Sequence, residues 1–458
     1  MPSHTTRRDG TRYYFISDLH IGGDEQLQHV EFKDELVSFL RNLERGDENA
    51  ELIVNGDAFG LWEYTDLEGM EKFDALVDRY PDIFEQLRAT GERIPITFIP
   101  GNHDYELACY PAYVDRLAEY NVTLEQEVVI MRNVGERLIW IEHGQQRDPN
   151  NESPEFGNPY ANPPGYFVNQ HITSRAGKLS ARGRFNWLKD IQSVTPMTEI
   201  PDWMLSKYFY REMSPLLRYA ALPFLLLFNF SFFVLLSVIL FATGVWTYPF
   251  LALERFLQSF GIVGTIIDLI LFINILVIIL LILVSVPAFF LVGDIRKTLK
   301  RFGLIEGEKP QEIADSYVVG ARAVFEDNPN VAVFIYGHTH RPSLTEVDDR
   351  AVVNTGTWLK RLHQKTVLFG ILPRVFYSSF RLNYFVVAAD GDAVSIEYHR
   401  IEKENPNDLT LLEKLLTRKP TTEVSIPERT VVGTEWNGPR TEIGAPTTQR
   451  NSPEERSQ

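Results

Sequence analysis

The sequence is poor in cysteine and in basic residues. Cys109 is the one cysteine among 458 residues, which excludes an intrachain disulfide. Lys and Arg total 45 against 61 Asp and Glu, giving a formal net charge of -16. Such a balance argues against the basic surface of a general nucleic-acid-binding protein, so we expect no nucleic-acid partner. The N-terminal stretch MPSHTTRRDG has no apolar run after it, so we expect no signal peptide.

Two long stretches lack charge almost completely. No charged residue lies between Tyr219 and Leu253, and Asp268 is the one charge between Phe256 and Gly293. A membrane span needs about 20 apolar residues, so each stretch is long enough to cross a bilayer. Buried core helices are the alternative, but these rarely stay apolar on all sides over such lengths. We therefore predict a two-helix transmembrane hairpin.

The charges beside these stretches predict their orientation. The first stretch is preceded by the basic residues Lys207, Arg211 and Arg218, and the second is followed by Arg296, Lys297, Lys300 and Arg301. The turn that connects the two stretches has one basic residue, Arg255. By the positive-inside rule, both outer flanks lie in the cytoplasm. We expect a two-pass membrane protein whose domain outside the membrane and both termini are cytoplasmic.

Five short apolar segments end in residues that bind metals well. RYYFISDLH ends in Asp18 and His20, AELIVNGD in Asp57, IPITFIPGNHD in Asn102, His103 and Asp104, RLIWIEHG in His143, and VAVFIYGHTH in His338 and His340. Helical patterns such as Phe32–Leu43 and Phe73–Leu87 alternate with them, which indicates an α/β sheet. Sites in open α/β sheets form beyond the carboxyl ends of strands. Each motif is weak alone, but together they predict one metal site.

The residue types indicate the chemistry. Oxygen and imidazole ligands together suit Mn²⁺, Fe or Zn²⁺ better than Ca²⁺ or Mg²⁺. Two Asp, one Asn and four His exceed the needs of one tetrahedral ion but suffice for two ions that share a carboxylate. Two such ions clamp a phosphoryl group and activate water near neutral pH. A histidine beside the metals can donate a proton to the leaving oxygen.

In this order, the motifs DLH, GD, GNHD, EHG and GHTH resemble those of the calcineurin-like metallophosphoesterase family, over roughly Arg12–His143 and Glu312–Arg400. The resemblance implies an α/β fold in which a sandwich of two sheets is flanked by helices, here with the transmembrane hairpin inserted. It implies two divalent ions, with Mn²⁺ expected and Fe or Zn²⁺ as alternatives. One ion would be held by Asp18, His20, Asp57 and His340, and the other by Asp57, Asn102, His143 and His338.

The same resemblance implies that His103 is the proton donor and that Asp104 is its orienting partner. Within the family, the stretch NGDAFGLWEY resembles the region after GD in the UDP-2,3-diacylglucosamine hydrolases. That group typically has Arg where this chain has His103. The resemblance therefore carries over the metal chemistry but not that substrate.

The insertion between the two halves of the site is basic. Within HITSRAGKLSARGRFNWLK there are five basic residues and no acid. Contact with anionic lipid headgroups is one interpretation, and a cap that grips substrate phosphate through Arg182 and Arg184 is the other. After the motif NTGTW, the pattern RLNYFVVAADGDAVSIEYHRI predicts a hairpin that turns at Asp390–Asp392.

The predicted organisation has five parts. These are residues 11–165 and 305–401 as the two portions of the metallophosphoesterase domain, 166–215 as a basic insertion, 216–293 as the transmembrane hairpin, and 402–458 as a disordered tail. We expect a membrane-anchored phosphoesterase that hydrolyses a phosphoester or pyrophosphate on a lipid- or nucleotide-linked substrate. The alternative is a non-catalytic, membrane-tethered metal-binding scaffold. Loss of a ligand would favour the scaffold, and no ligand is missing.

Overall fold

The computed structural model describes residues 10–24, 29–46, 49–175, 178, 194, 199–245, 255–301, 310–367, 372–406, 409–417 and 425–434. The strands are β1 (Arg12–Ile16), β2 (Ala50–Asn55), β3 (Ile96–Ile99), β4 (Val122–Leu124), β5 (Val129–Val134), β6 (Arg137–Glu142), β7 (Val331–Tyr336), β8 (Ser343–Val347), β9 (Arg350–Asn354), β10 (Arg361–Val367), β11 (Leu372–Ser379), β12 (Leu382–Asp390), β13 (Ala393–Ile401) and β14 (Arg429–Val432). The helices are α1 (Lys33–Glu44), α2 (Met70–Arg79), α3 (Pro81–Gly91), α4 (Glu106–Cys109), α5 (Ala112–Ala118), α6 (Pro164–Val168), α7 (Ile200–Lys207), α8 (Pro215–Ala242), α9 (Ile262–Arg301), α10 (Pro310–Asp327) and α11 (Leu411–Leu416).

Two sheets form the centre of the molecule. One has seven strands in the order β14-β13-β12-β1-β2-β3-β4, and the other has five in the order β5-β6-β7-β9-β8. Strands β1 to β4 run parallel, as do β6, β7 and β9. Since β6 and β7 pair although α6 to α10 lie between them in sequence, the insertion interrupts one fold.

Apolar side chains fill the space between the sheets. Alternate residues of a strand point to opposite faces, so Tyr13 and Phe15 of β1 face this inner layer with Ile53 of β2. They meet Ile139, Val333 and Ile335 of the second sheet. Full burial of each such side chain contributes about 1.5–3 kcal/mol, so this layer stabilises the packing of the two sheets against each other.

Helices cover the outer faces. Helix α1 buries Leu36, Phe39, Leu40 and Leu43, a spacing that places them on one side of a helix. On the second sheet, Tyr317 of α10 stacks on Tyr336 of β7. The predicted two-sheet sandwich flanked by helices is confirmed. The predicted helix Phe73–Leu87 is instead two helices, because Pro81 lacks the N–H that would continue α2, and begins α3.

The end of the chain contributes more structure than its composition predicts. Strands β12 and β13 form the predicted hairpin, and β14 adds to its edge with Val432 paired to Val394. Helix α11 begins at a capping box of Thr410 and Glu413. A disordered tail from residue 402 is therefore wrong for α11 and β14. In β14, Thr430 and Val432 alternate with exposed neighbours and are buried against the sheet.

Helices α8 and α9 lie on the two predicted membrane spans. By length and composition, Pro215–Ala242 and Ile262–Leu283 are each long and apolar enough to cross a membrane. Only 12% and 22% of their most apolar windows are buried, unlike helices of a protein core. The amide of Asn274 in α9 donates to the carbonyl of Phe224 (3.0 Å) and to Oγ of Ser231 (3.2 Å), which joins the two helices through polar contacts.

Candidate metal centre

The carboxyl ends of strands from both sheets meet at one place. Strands β1, β2 and β3 are neighbours in the first sheet, and β6 and β7 are neighbours in the second. Parallel strands end on the same edge of a sheet, so residues that follow them are brought together. The structure brings together all seven predicted ligands there: Asp18, His20, Asp57, Asn102, His143, His338 and His340.

One cluster contains Asp18, His20, Asp57 and His340. The Nε2 atoms of His20 and His340 lie 3.1 Å apart. Nε2 of His340 is also 3.1 Å from Oδ1 of Asp18, and Nε2 of His20 is 3.7 Å from Oδ2 of Asp57. The four side chains thus direct ligand atoms at a common point.

A second cluster shares Asp57 with the first. Nε2 of His143 lies 3.2 Å from both Oδ2 of Asp57 and Oδ1 of Asn102. Oδ1 of Asn102 is in turn 2.9 Å from Nδ1 of His338. Asp57 is therefore the carboxylate that both clusters contain.

The residues present fit a pair of divalent ions. Oδ1 of Asp18 is buried next to His340, yet accepts no hydrogen bond from any described residue. Ligand atoms separated by about 3 Å suit an ion with bonds of about 2.0–2.2 Å. Burial alone would raise the pKa of Asp57, but the charges of His143 and His103 lower it well below its usual value. The shared carboxylate is thus anionic, as a metal ligand must be.

The backbone is strained at five of the ligands. Left-handed φ angles occur at Asp18 (52°), His20 (46°), Asp57 (51°), His338 (64°) and His340 (58°). Among the described residues, three other non-glycine residues have positive φ. Such conformations cost on the order of 1–3 kcal/mol each and cluster at functional sites. The strain turns each side chain back towards the centre directly after its strand.

Neighbouring groups select which histidine nitrogen faces the centre. Nδ1 of His143 donates to the carbonyl of Asn55 at 2.9 Å, so Nε2 is the nitrogen that faces the centre as a metal ligand. Nε2 of His338 contacts Oδ2 of Asp148 at 3.1 Å, so its Nδ1 faces Asn102. Sequence reasoning missed Asp148, because nothing distinguishes it from other polar residues of its Asn- and Pro-rich loop.

Residues at the end of β9 and directly after it hydrogen-bond to the segments that carry the ligands. Oγ of Ser17 contacts the carboxylate of Asp18 and lies 2.5 Å from Oγ1 of Thr355. The amide of Asn354 donates to the carbonyl of Gly337 (2.9 Å) and to Oγ1 of Thr339 (2.8 Å). Asn354 and Thr355 therefore hold the ligand-bearing loops.

His103 stands beside the first cluster and pairs with Glu63. Its Nδ1 lies 2.6 Å from Oε1 of Glu63, and its ring contacts that of Trp62 with centroids 4.9 Å apart. Burial disfavours the charged imidazole, but the charges of Glu63 and Asp57 outweigh it and raise the pKa of His103 to about 9. His103 is thus protonated at neutral pH.

The predicted partnership of Asp104 with His103 is wrong. The Asp104 carboxylate accepts hydrogen bonds from the backbone N–H of Gly101 (2.6 Å) and of Phe59 (3.2 Å), so it joins two loops. Burial and the charge of Asp57 raise its pKa to about 7. The orienting group is Glu63, which the sequence reasoning missed. Its signal was present, since it is a lone acid within the otherwise apolar stretch FGLWEY.

The predicted phosphate-gripping residues Arg182 and Arg184 lie outside the described residues. Of the same basic stretch, Lys178 is described. Its ammonium group lies 2.8 Å from Oδ2 of Asp24 and 2.6 Å from Oδ2 of Asp66. This lysine therefore ties the insertion to loops beside the metal centre.

Comparisons with known proteins found several solved structures and one family model that match the chain. No curated protein sequence matches the chain. Among solved structures, it is similar to a conserved uncharacterized protein, a predicted phosphoesterase, from Streptococcus pneumoniae TIGR4 (9% identity, 88% of this chain and 97% of that chain covered, TM-score 0.27). It is also similar to GAP50, the anchor in the inner membrane complex of Plasmodium (10% identity, 89% of this chain and 93% of that chain covered, TM-score 0.30). A third similar structure is phosphopantetheinyl hydrolase from Mycobacterium tuberculosis (13% identity, 76% of this chain and 90% of that chain covered, TM-score 0.23).

The family model that matches is described as calcineurin-like phosphoesterase, and the match spans residues 11–220. This range carries the motifs from Asp18 to His143, and the fold adds His338 and His340 to them. Residues 11–220 of the chain therefore carry a calcineurin-like phosphoesterase domain.

Proposed function

We propose that this protein is a membrane-anchored hydrolase that cleaves a phosphoester or pyrophosphate with two divalent metal ions. The observation that carries the proposal is the pair of ligand clusters that share Asp57. Members of the family use divalent metals. Mn²⁺ is the expected metal on the basis of the mixed ligand set, with Fe and Zn²⁺ as alternatives.

Asp18, His20, Asp57 and His340 would hold one ion, and Asp57, Asn102, His143 and His338 the other. When bound, such ions supply hydroxide near neutral pH and offset the charge that develops on the phosphoryl group. The residues of the chain hold the ligand atoms in place beforehand through Asn55, Asp148 and Ser17. Because these contacts exist before substrate arrives, little reorganisation is needed during reaction.

In this mechanism His103 donates a proton to the leaving oxygen. Glu63 engages Nδ1, which leaves Nε2 as the donating nitrogen. The side chain of His103 is 22% exposed and that of Glu63 is 3% exposed, so the acid is accessible while its partner is not. A buried carboxylate keeps the imidazole charged and oriented, as a general acid requires.

The apolar helices support a membrane anchor that leaves the catalytic domain and both termini in the cytoplasm. The basic residues that flank the helices favour this orientation. An anchored domain has ready access to substrates at the bilayer surface, so the proposed substrate is lipid-linked or nucleotide-linked. Accessibility of a C-terminal tag in sealed vesicles tests the orientation, and a tag exposed on the outer side would contradict it.

The activity is tested with detergent-purified protein, Mn²⁺, and generic aryl phosphodiester and monoester substrates. Asp57→Asn keeps the shape of the shared ligand but removes its charge, so hydrolysis should fall by at least about a hundredfold. Asp327→Asn, at an exposed position at the end of α10, is the matched control and should leave the rate unchanged. Equal rates in wild type and Asp57→Asn would instead indicate a metal-binding scaffold.

A further inference from the structure

The start of the insertion packs on the loop that carries Glu63. Helix α6 and the following π-helical turn Asn169–Thr173 return the chain to the metal centre. The Tyr166 ring meets that of Trp62 with centroids 5.5 Å apart. The amide of Gln170 donates to the backbone carbonyl of Trp62 and to that of Tyr64. The insertion thus contacts the residues on both sides of Glu63.

Asn169 contacts the Glu63 carboxylate itself. Its Nδ2 donates to Oε1 of Glu63 at 3.0 Å, the same oxygen that lies 2.6 Å from Nδ1 of His103. Oγ of Ser174 donates to Oδ1 of Asn169 at 3.0 Å, which orients the amide. Ser174, Asn169, Glu63 and His103 therefore form one continuous chain of hydrogen bonds.

The orientation of the Glu63 carboxylate depends on Asn169, because the other carboxylate oxygen, Oε2, does not help to fix it. Oε2 is buried and makes no hydrogen bond with any part of the chain that the structure describes. The two contacts of Oε1 therefore set the rotation of the carboxylate. A buried carboxylate that loses one of its few hydrogen-bond donors changes its orientation. In a hydrogen-bonded network this change also affects the next residue, here His103.

We propose that Asn169 is a positioning residue for proton donation to the leaving group, acting on His103 through Glu63. This rests on the proposed function and deepens it. The residue belongs to the insertion that leads to the apolar helices. Packing of this insertion against the loop that carries Glu63 thereby affects proton donation to the leaving group.

The kinetic test compares substrates with good and poor leaving groups. A good leaving group needs no proton, so loss of acid alignment slows only esters with poor leaving groups. For Asn169→Leu we expect kcat to fall about tenfold on an alkyl phosphodiester and less than about twofold on a nitrophenyl one, with KM unchanged. Asn169→Asp, which keeps the shape but lacks the donor, should show the same selectivity.

Gln170→Leu is the matched control. It removes two hydrogen bonds between the insertion and the same loop without touching Glu63. Its effect should be equal on both substrates. The proposal is overturned if the Asn169 variants also slow both substrates equally, or slow neither.

A second measurement does not depend on turnover. In protein labelled with ¹⁵N-histidine, the Nδ1 resonance of His103 is assigned by its disappearance in His103→Ala. Asn169→Leu should shift this resonance and Gln170→Leu should not. An unshifted resonance in Asn169→Leu would refute the positioning role. If the wild-type protein hydrolyses no ester and Asn169→Leu still shifts the resonance, the result counts against the proposed function alone.

Discussion

Nε2 of His143 lies 3.2 Å from Oδ2 of Asp57, although the two residues follow strands of different sheets. The same oxygen lies 3.7 Å from Nε2 of His20. One carboxylate thus joins ligand sets from both halves of the sandwich. Substitution of Asp57 should therefore weaken both metal sites, whereas substitution of a ligand that belongs to one cluster should weaken one site.

Metal content distinguishes shared from unshared ligands. His340→Ala removes a ligand of the first cluster only, so the purified protein should retain about one divalent ion per chain. Asp57→Asn weakens both clusters and should leave well under one ion. Elemental analysis after dialysis against trace Mn²⁺ measures both. Equal loss in the two variants would mean that Asp57 is not a bridge.

Glu63→Gln should shift the alkaline side of the pH–rate profile. The donor works while His103 is protonated, so activity falls as pH rises through its pKa, about 9 with Glu63 present. Burial lowers the pKa of His103 and the charge of Glu63 raises it, so removal of that charge lowers the pKa. The alkaline limb of kcat/KM should therefore move to lower pH. A profile identical to wild type would contradict the pairing of His103 and Glu63.

The same pair predicts a pH-dependent stability. The pKa of His103 is raised in the folded state, from 6.5 to about 9, so folding is favoured while the folded protein holds the extra proton. This contribution is fully present below pH 6.5 and is lost as pH rises through about 9. The stability difference between wild type and Glu63→Gln should therefore shrink across this range in denaturant titrations. A constant difference would exclude the ion pair.

Asp104→Asn should affect stability and not proton donation. An asparagine accepts through one oxygen, so the N–H of either Gly101 or Phe59 loses its partner, at a cost of about 1–3 kcal/mol. Thermal unfolding should shift to lower temperature. The ratio of rates on good and poor leaving groups should stay as in wild type. A selective loss on poor leaving groups would restore Asp104 to the acid machinery.

Gly101→Ala should disturb the shared ligand. A Cβ at Gly101 would overlap the carboxylate and backbone N–H of Asp57, and the backbone has little room to yield. Mn²⁺ affinity should fall by about 10–100-fold, measured by titration. Gly293→Ala, where a Cβ meets no atom within 4 Å, is the control and should bind as wild type does.

Much of the fold was accessible to local reasoning. Short apolar runs in β1, β2 and β7 predict strands, because a strand that is covered on both faces has apolar residues throughout. Ligand residues directly after such strands predict a shared site at the sheet edge. Composition misled at the tail, where a polar average concealed the short strand β14.

The sequence by itself determined the ligand types, their order, the strands that carry them, and the two apolar helices, because each depends on neighbouring residues. Only the tertiary structure decided the partners. Glu63 rather than the adjacent Asp104 reaches His103 across 40 residues, and Asn169 reaches Glu63 across 106. No local periodicity encodes such contacts. They arise because packing of the sheets and the insertion sets which buried polar groups can meet, and each must find a partner once water is excluded.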